Sequence, residues 1–278
     1  MEPAETRRPA DGPRSNLWLE SRYRKLVRGL PQTIFYCPKC KGDRRRRKGC
    51  PQCEGFGKLT KESVQELIGR RILPRMQAKT GKFHGAGRED IDVLMLGRGR
   101  PFVYEVIGAR NPLIDLEELR RDIEARAEGA IELDPFVRVG RERVVYWKNT
   151  HFDKIYRVDV AADGAIDPAR AAAAAQFAGT IVQRTPQRVA HRRADLDRER
   201  SLAVLGLAVT DGGVELRVRC QHGTYVKEWI SGDEGRTTPS LSDLLGVPCT
   251  CRQLDVAEIL TDEVPTTATL SVDSEPRS

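Results

Sequence analysis

The chain has 278 residues, of which 39% are hydrophobic, 31% charged and 6% aromatic, enough apolar material for a sizeable core and too much for wholesale disorder. Its net charge of +7 is uneven: residues 1–50 hold 14 Lys and Arg against 5 Asp and Glu, which leaves the rest at −2. A basic block of this kind attracts a polyanion by releasing its counterions. With no apolar run of about 18 residues and no signal-peptide pattern, the expectation is a cytoplasmic protein with no membrane contact and nucleic acid as its partner.

Residues 1–16, rich in Pro, Ala, Gly, Arg and Glu, read as a disordered tail. Leu17 to Tyr36 alternates apolar and basic residues and predicts strand structure; the cysteine block 37–53 follows and completes a basic module over 17–60. Ser63 and Glu66 have capping-box spacing, with Gly69 as the expected stop of a short helix. From residue 83 onward, β-rich runs predict strands over 91–96 and 101–107, across PFVRV and RVVYW in 135–147, and over 154–160. Between them, Asp115 and Glu118 open a helix carrying Leu116, Leu119 and Ile123, closed by Gly129. A helix over 167–177 built on alanines comes next. Asp211-Gly212-Gly213 joins two alternating runs as a hairpin. Helices near 224–230 and 240–245 and a strand near 254–259 finish the chain, before a tail over 261–278.

Cys37-Pro-Lys-Cys40 and Cys50-Pro-Gln-Cys53 are two knuckles nine residues apart, each able to turn two thiolates toward one tetrahedral ion. The pair favours structural zinc over a redox site. Cys220, Cys249 and Cys251 have no matching spacing and read as ordinary thiols.

Phe83-His84-Gly85-Ala86-Gly87-Arg88-Glu89-Asp90-Ile91-Asp92 is a glycine-rich turn running into an apolar strand. No strand is read before the glycines and no helix after them, which argues against a dinucleotide site. The Gly-Arg-Glu-Asp turn resembles the aspartate motif of pseudouridine synthases. Lys154-Ile155-Tyr156 resembles their Lys-x-Tyr strand, and Gly223-Thr224-Tyr225-Val226-Lys227 resembles their Gly-Thr-Tyr-Ile-Arg/Lys motif. Together with the zinc block and the strings HGAGREDIDVLMLGRGRPF, QRTPQRVAHRRAD and CQHGTYVKEWISGDEGRTTPS, these are similar to the archaeal and eukaryotic tRNA pseudouridine synthases that modify adjacent uridines of the TΨC loop, tRNA positions 54 and 55.

The resemblance covers roughly residues 17–260 and implies an α+β pseudouridine synthase fold. Its sheet is mixed and mainly antiparallel, flanked by helices, with the catalytic domain over 61–260 behind the small zinc-binding module. It implies an enzyme acting on tRNA with no organic cofactor, and a monomer is expected. The rival reading, from the zinc knuckles, is a non-catalytic RNA-binding or chaperone-like protein, against which stand the single pair of Cys-x-x-Cys repeats and the lack of a His-Pro-Asp motif. On the resemblance, Asp90 is the catalytic carboxylate, Tyr156 stacks on the base and assists the late proton removal, and Lys227 is the counter-ion of a buried Asp90. Asp92 is structural. Arg88, Tyr225, Arg192, Arg193 and Arg236 are the further candidate substrate contacts; by itself the basic stretch 184–200 reads equally as a phosphate contact or as a solvated charged face. His84 and His222 are at most positioning residues. Members of the family usually carry an N-terminal RNA-binding domain with a THUMP fold. This chain begins at what looks like its last segment, so a separate THUMP-containing protein is an expected partner, or else the basic block grips the tRNA.

Overall fold

The computed structural model describes residues 14–191 and 194–261. The expected tails lie almost wholly outside these residues, as do Arg192 and Arg193. The described elements are β1 (Ser15–Lys25), α1 (Val64–Arg75), β2 (Thr80–Gly85), β3 (Leu94–Ala109), α2 (Leu116–Ala127), β4 (Ile131–Leu133), β5 (Val137–Val139), α3 (Glu142–Asn149) and β6 (Lys154–Ala162) in the first part. The second part holds α4 (Pro168–Ala175), β7 (Ala178–Arg184), α5 (Gln187–Ala190), β8 (Asp197–Thr210), β9 (Gly213–Cys220), α6 (Val226–Ser231), β10 (Thr237–Thr238), α7 (Leu241–Leu245) and β11 (Cys249–Ile259). The protein is α+β, with one 11-stranded mixed sheet in the order β10-β7-β8-β9-β6-β11-β3-β1-β4; β2 also pairs with β3, and β5 with β1. β11 runs parallel to β3, and the other pairings are antiparallel. No described helix is long and apolar enough to cross a membrane.

The strand and hairpin signals lead to the sheet in a direct way. Thr210 pairs with Gly213 across the Asp211-Gly212 turn, where Gly212 takes the left-handed φ of 81° that a two-residue hairpin favours. β9 alternates buried and exposed residues along its length. Leu19, Tyr23, Phe102 and Val106 on one side of the molecule, and Val158, Val160, Leu216, Val218 and Trp229 on the other, join a single buried core.

Five expectations change. A strand, β2, does precede the glycine-rich turn; no helix follows it, so the dinucleotide pattern stays incomplete. The strand expected over Leu17 to Tyr36 is β1, which runs only from Ser15 to Lys25 and lies inside the sheet, paired with β3. α1 does not stop at Gly69: it runs to Arg75, and Gly69 is a packing residue, because a Cβ there would collide with the Tyr104 hydroxyl. Residues 91–96 and 101–107 do not form two strands, since one long β3 begins only at Leu94. RVVYW is helical in α3, where Val144 and Trp147 are buried together three residues apart while Val145 is 52% exposed. Helical spacing on a buried face there overrides the strand preference of valine.

Candidate active site

The Gly-Arg-Glu-Asp turn is held from below by a buried polar network. The Arg100 guanidinium donates to Glu89 (2.8 Å) and to the Ala86 carbonyl (2.7 Å), and the Tyr23 hydroxyl donates to both Glu89 oxygens (2.8 and 2.9 Å). Lys25 donates to the carbonyls of Leu30, Asp90 and Ile91 at 2.8, 3.2 and 3.3 Å, with its ammonium 4.0 Å from Glu89. Gln32 ties the Tyr23 hydroxyl (2.8 Å) to the Gly87 carbonyl (3.0 Å). Gly87 has φ 81°, and a Cβ there would sit 2.9 Å from Arg100, so the approach needs glycine. Burial, and then the Glu89 charge, push the Tyr23 phenol well above its ordinary value, which keeps it a donor. Burial pulls the Lys25 ammonium down against the opposing charge of Glu89. Each buried charge in this cluster has an opposite charge and hydrogen bonds, the condition under which buried ions are tolerated.

Asp90 sits above this network in a turn closed by the Val93 amide on its carbonyl (3.1 Å). Its carboxylate is 4.0 Å from the Lys227 ammonium, whereas the Asp92 carboxylate accepts a hydrogen bond from Lys227 at 2.9 Å. The side chains of Asp90, Asp92 and Lys227 are 53%, 58% and 32% exposed, which corrects the expectation of a buried Asp90–Lys227 pair. The ammonium is shared by two carboxylates at a solvent-open mouth. Partial burial acts to raise the Asp92 carboxyl, but the hydrogen bond and charge of Lys227 outweigh it and lower the pKa. Asp92 reaches this position from a turn, not from the regular strand expected of it.

Tyr156 lies in mid-sheet on β6, opposite Val218 of β9 and Val256 of β11. Burial, chiefly, pushes its phenol far above the ordinary range. The 221–225 turn is built locally: Thr224 donates to the Gln221 carbonyl (2.8 Å), and Gln183 of β7 clamps Tyr225 by accepting from its amide (2.9 Å) and donating to its carbonyl (3.0 Å). Arg188 of α5 pairs with Glu228, its guanidinium carbon 5.8 Å from the Tyr225 ring centre. His151 and His222 face each other with ring centres 4.2 Å apart. Burial, then Lys154 and His151, hold His222 down at about 4, so it is neutral at physiological pH.

These segments enclose a cleft of about 1090 Å³ whose lining includes Arg88, Asp90, Tyr156, Tyr225 and Lys227. Five of the expected site residues, from three separate stretches of sequence, therefore meet. Arg236 does not join them: it donates to the Thr185 carbonyl (3.0 and 2.7 Å) and to Asp195, bracing the chain between β7 and β8. Arg188, Arg198 and Arg200, foreseen only as part of a basic stretch, line the cleft individually. Arg198 and Arg200 are two residues apart on β8 and so share a face, a signal the alternation carries. Glu89 was legible only as a neighbour of Asp90. A mouth with carboxylates, arginines and two tyrosines suits an anionic substrate that carries a flat ring.

The Sγ atoms of Cys37, Cys40, Cys50 and Cys53 all lie within 4.8 Å of one another and are buried. The Cys37–Cys50 and Cys40–Cys53 separations are 3.9 and 3.6 Å. A tetrahedral ion with metal–sulfur bonds near 2.3 Å requires about 3.8 Å between thiolates. The residues fit a closed four-thiolate metal site.

The profile of the family described as "Pus10, C-terminal" matches residues 18–260. The chain belongs to this family. It is 42% identical over 246 residues to the tRNA pseudouridine synthase Pus10 of Methanosphaera stadtmanae, covering 87% of this chain and 59% of that protein. To the enzyme of the same name from Methanothermobacter marburgensis it is 43% identical over 248 residues, covering 87% and 60%. For that of Halorubrum lacusprofundi the values are 41% over 255 residues, 90% and 60%. The chain thus spans about three fifths of the length of these relatives. Among solved structures, a chain of a Cbf5-Nop10-Gar1 complex is similar over 70% of this chain and 45% of that one, with 18% identity and a TM-score of 0.40.

Proposed function

We propose that the chain is a tRNA pseudouridine synthase with a pseudouridine synthase fold, isomerising uridine of the TΨC loop. The observation that carries the proposal is the convergence of Arg88, Asp90, Tyr156, Tyr225 and Lys227 on one cleft, in a chain whose relatives bear that name. The reaction breaks the bond between uracil nitrogen and ribose, turns the base and rejoins it through carbon 5. The base must first leave its stack, at a cost of a few kcal/mol. In this reading the Asp90 carboxylate either attacks the ribose or draws a proton from it. Tyr156 stacks on the base and assists loss of the carbon 5 proton. Arg88, exposed and without a hydrogen bond or ion pair among the described residues, is available to a phosphate; Arg188, Arg198 and Arg200 line the same cleft but are already held, Arg188 by Glu228, Arg198 by Thr185 and the Leu196 carbonyl, and Arg200 by the Glu199 carbonyl. No organic cofactor is required. The test is tritium release from tRNA labelled at carbon 5 of uracil: stoichiometric release on incubation with the chain supports the reading, and none at saturating enzyme rejects it.

Lys227→Met is expected to change stability by less than about 1 kcal/mol, since the ion pairs it breaks are solvent-exposed. It is expected to slow single-turnover isomerisation by roughly tenfold or more, through loss of a fixed positive charge beside the reacting carboxylate. A melting curve and a rapid-quench rate check the two halves separately, and an unchanged rate removes Lys227 from the machinery.

The ion we assign to the four cysteines is zinc, in a structural role, because four thiolates leave no position for a reacting water. Elemental analysis should find one zinc per chain, and Cys40→Ser should lose it and lower the melting temperature. Turnover by the folded remainder at saturating tRNA should persist. A metal-free wild-type protein purified under reducing conditions contradicts the assignment.

A further inference from the structure

A second groove, of about 810 Å³, lies where the cysteine module meets α1 and the end of α2, and it shares no lining residue with the cleft. Its cations fall into two groups. Arg70 and Arg126 both donate to Glu62 (2.8 and 3.2 Å), and Lys58 is held by Glu66 at 2.5 Å. Arg47 and Lys61 also line the groove, are exposed, and make no side-chain hydrogen bond or ion pair with a described residue.

Phe56, 60% exposed, lines the same groove. Its outward position belongs to the fold of the knuckle: the Phe56 amide donates to the Cys53 carbonyl (2.7 Å), and Gly55 and Gly57 on either side take φ of 84° and 82°. Tyr36, 53% exposed, bridges to Lys58 on the same module. Residues 35–61 contain nine Lys and Arg against two Asp and Glu. An exposed ring in the same groove as two uncommitted cations, in a positive field, matches a polyanion that also offers flat faces. A duplex hides its base faces, and an acidic peptide offers a ring only where it happens to carry an aromatic residue, whereas every nucleotide pairs a phosphate with a flat face. An unpaired nucleic-acid strand offers both phosphates and faces.

We propose that this groove binds an unpaired RNA segment, with Phe56 stacked on a base and Arg47 and Lys61 on the flanking phosphates. The proposal rests on the reading that the chain works on RNA and adds a contact remote from the reacting base. The test uses the full metal-loaded chain and fluorescence anisotropy with a labelled single-stranded RNA dodecamer and an RNA duplex of the same length. Phe56→Ala should weaken single-strand binding about five- to tenfold and duplex binding less than about twofold, while Phe56→Trp holds wild-type affinity. Arg47→Gln with Lys61→Gln should weaken binding and flatten the salt slope by roughly 0.7 per contact removed. These two side chains are exposed, so the double variant keeps the test decisive if Phe56→Ala disturbs metal content or melting.

Three results overturn the proposal. They are unchanged single-strand affinity in Phe56→Ala or in the double variant, equal losses for duplex and single strand, and Phe56-dependent competition by a poly-glutamate peptide. Tritium release is scored separately. Phe56-dependent RNA binding by a wild-type chain that releases no tritium refutes the isomerase reading and leaves the groove standing. Full release with Phe56-independent binding does the reverse.

Discussion

Asp90→Asn is expected to fold, to bind tRNA and to make no measurable pseudouridine, a loss of about ten-thousandfold or more if the carboxylate takes a direct part in bond breaking. The substitution keeps shape and removes charge at a side chain that is already half exposed, so the fold has little reason to respond. Asp92→Asn is the informative control. Asp92 holds the shorter contact to Lys227, 2.9 Å against 4.0 Å, and a reader of distances alone would choose it as the working carboxylate. If Asp92 serves to hold the ammonium beside Asp90, its amide variant keeps most of the turnover. Carbodiimide mapping of the tRNA decides between them: product from Asp90→Asn together with its loss in Asp92→Asn exchanges the two roles.

Arg100→Met is expected to be strongly destabilising, by about 3–5 kcal/mol in urea unfolding, because it strands Glu89 in a site with essentially no solvent. Tyr23 and Lys25 offset part of that charge, which places the expectation nearer the lower figure. Adding Glu89→Gln to Arg100→Met should recover a part of the loss by removing the uncompensated charge. Turnover should fall as well, although Arg100 does not line the cleft, because its hydrogen bonds to Ala86 and Glu89 hold the turn that carries Asp90. A loss below about 1 kcal/mol with unchanged turnover contradicts the bracing role.

The signals that sequence carried faithfully are those closed within a few residues. Ser63 accepts from the Glu66 amide at the start of α1, and Asp115 accepts from the Glu117 and Glu118 amides at the start of α2; both follow from a short polar side chain meeting unpaired amides in the first turn. The Asp211-Gly212 hairpin is equally local, and so is the nine-residue spacing that brings four thiolates within reach of one ion. The motif strings located Asp90, Tyr156 and Lys227 because each carries its own short pattern.

What tertiary structure decided depends on partners far away in the chain. Gly69 looked like a helix stop and is a contact with Tyr104; RVVYW looked like a strand and is a helix because Val144 and Trp147 find a buried surface. Glu89 and Tyr23 are 66 residues apart, and Lys227 and Asp92 are 135. Arg236 and Arg188 are both arginines in basic surroundings, yet one is spent on the Thr185 carbonyl and the other lines the cleft. Propensity and capping are set by a residue and its nearest neighbours, so they can be read along the chain. Burial, charge pairing and the choice between two nearby carboxylates are set by whatever the sheet brings alongside, and that requires all of its strands in register.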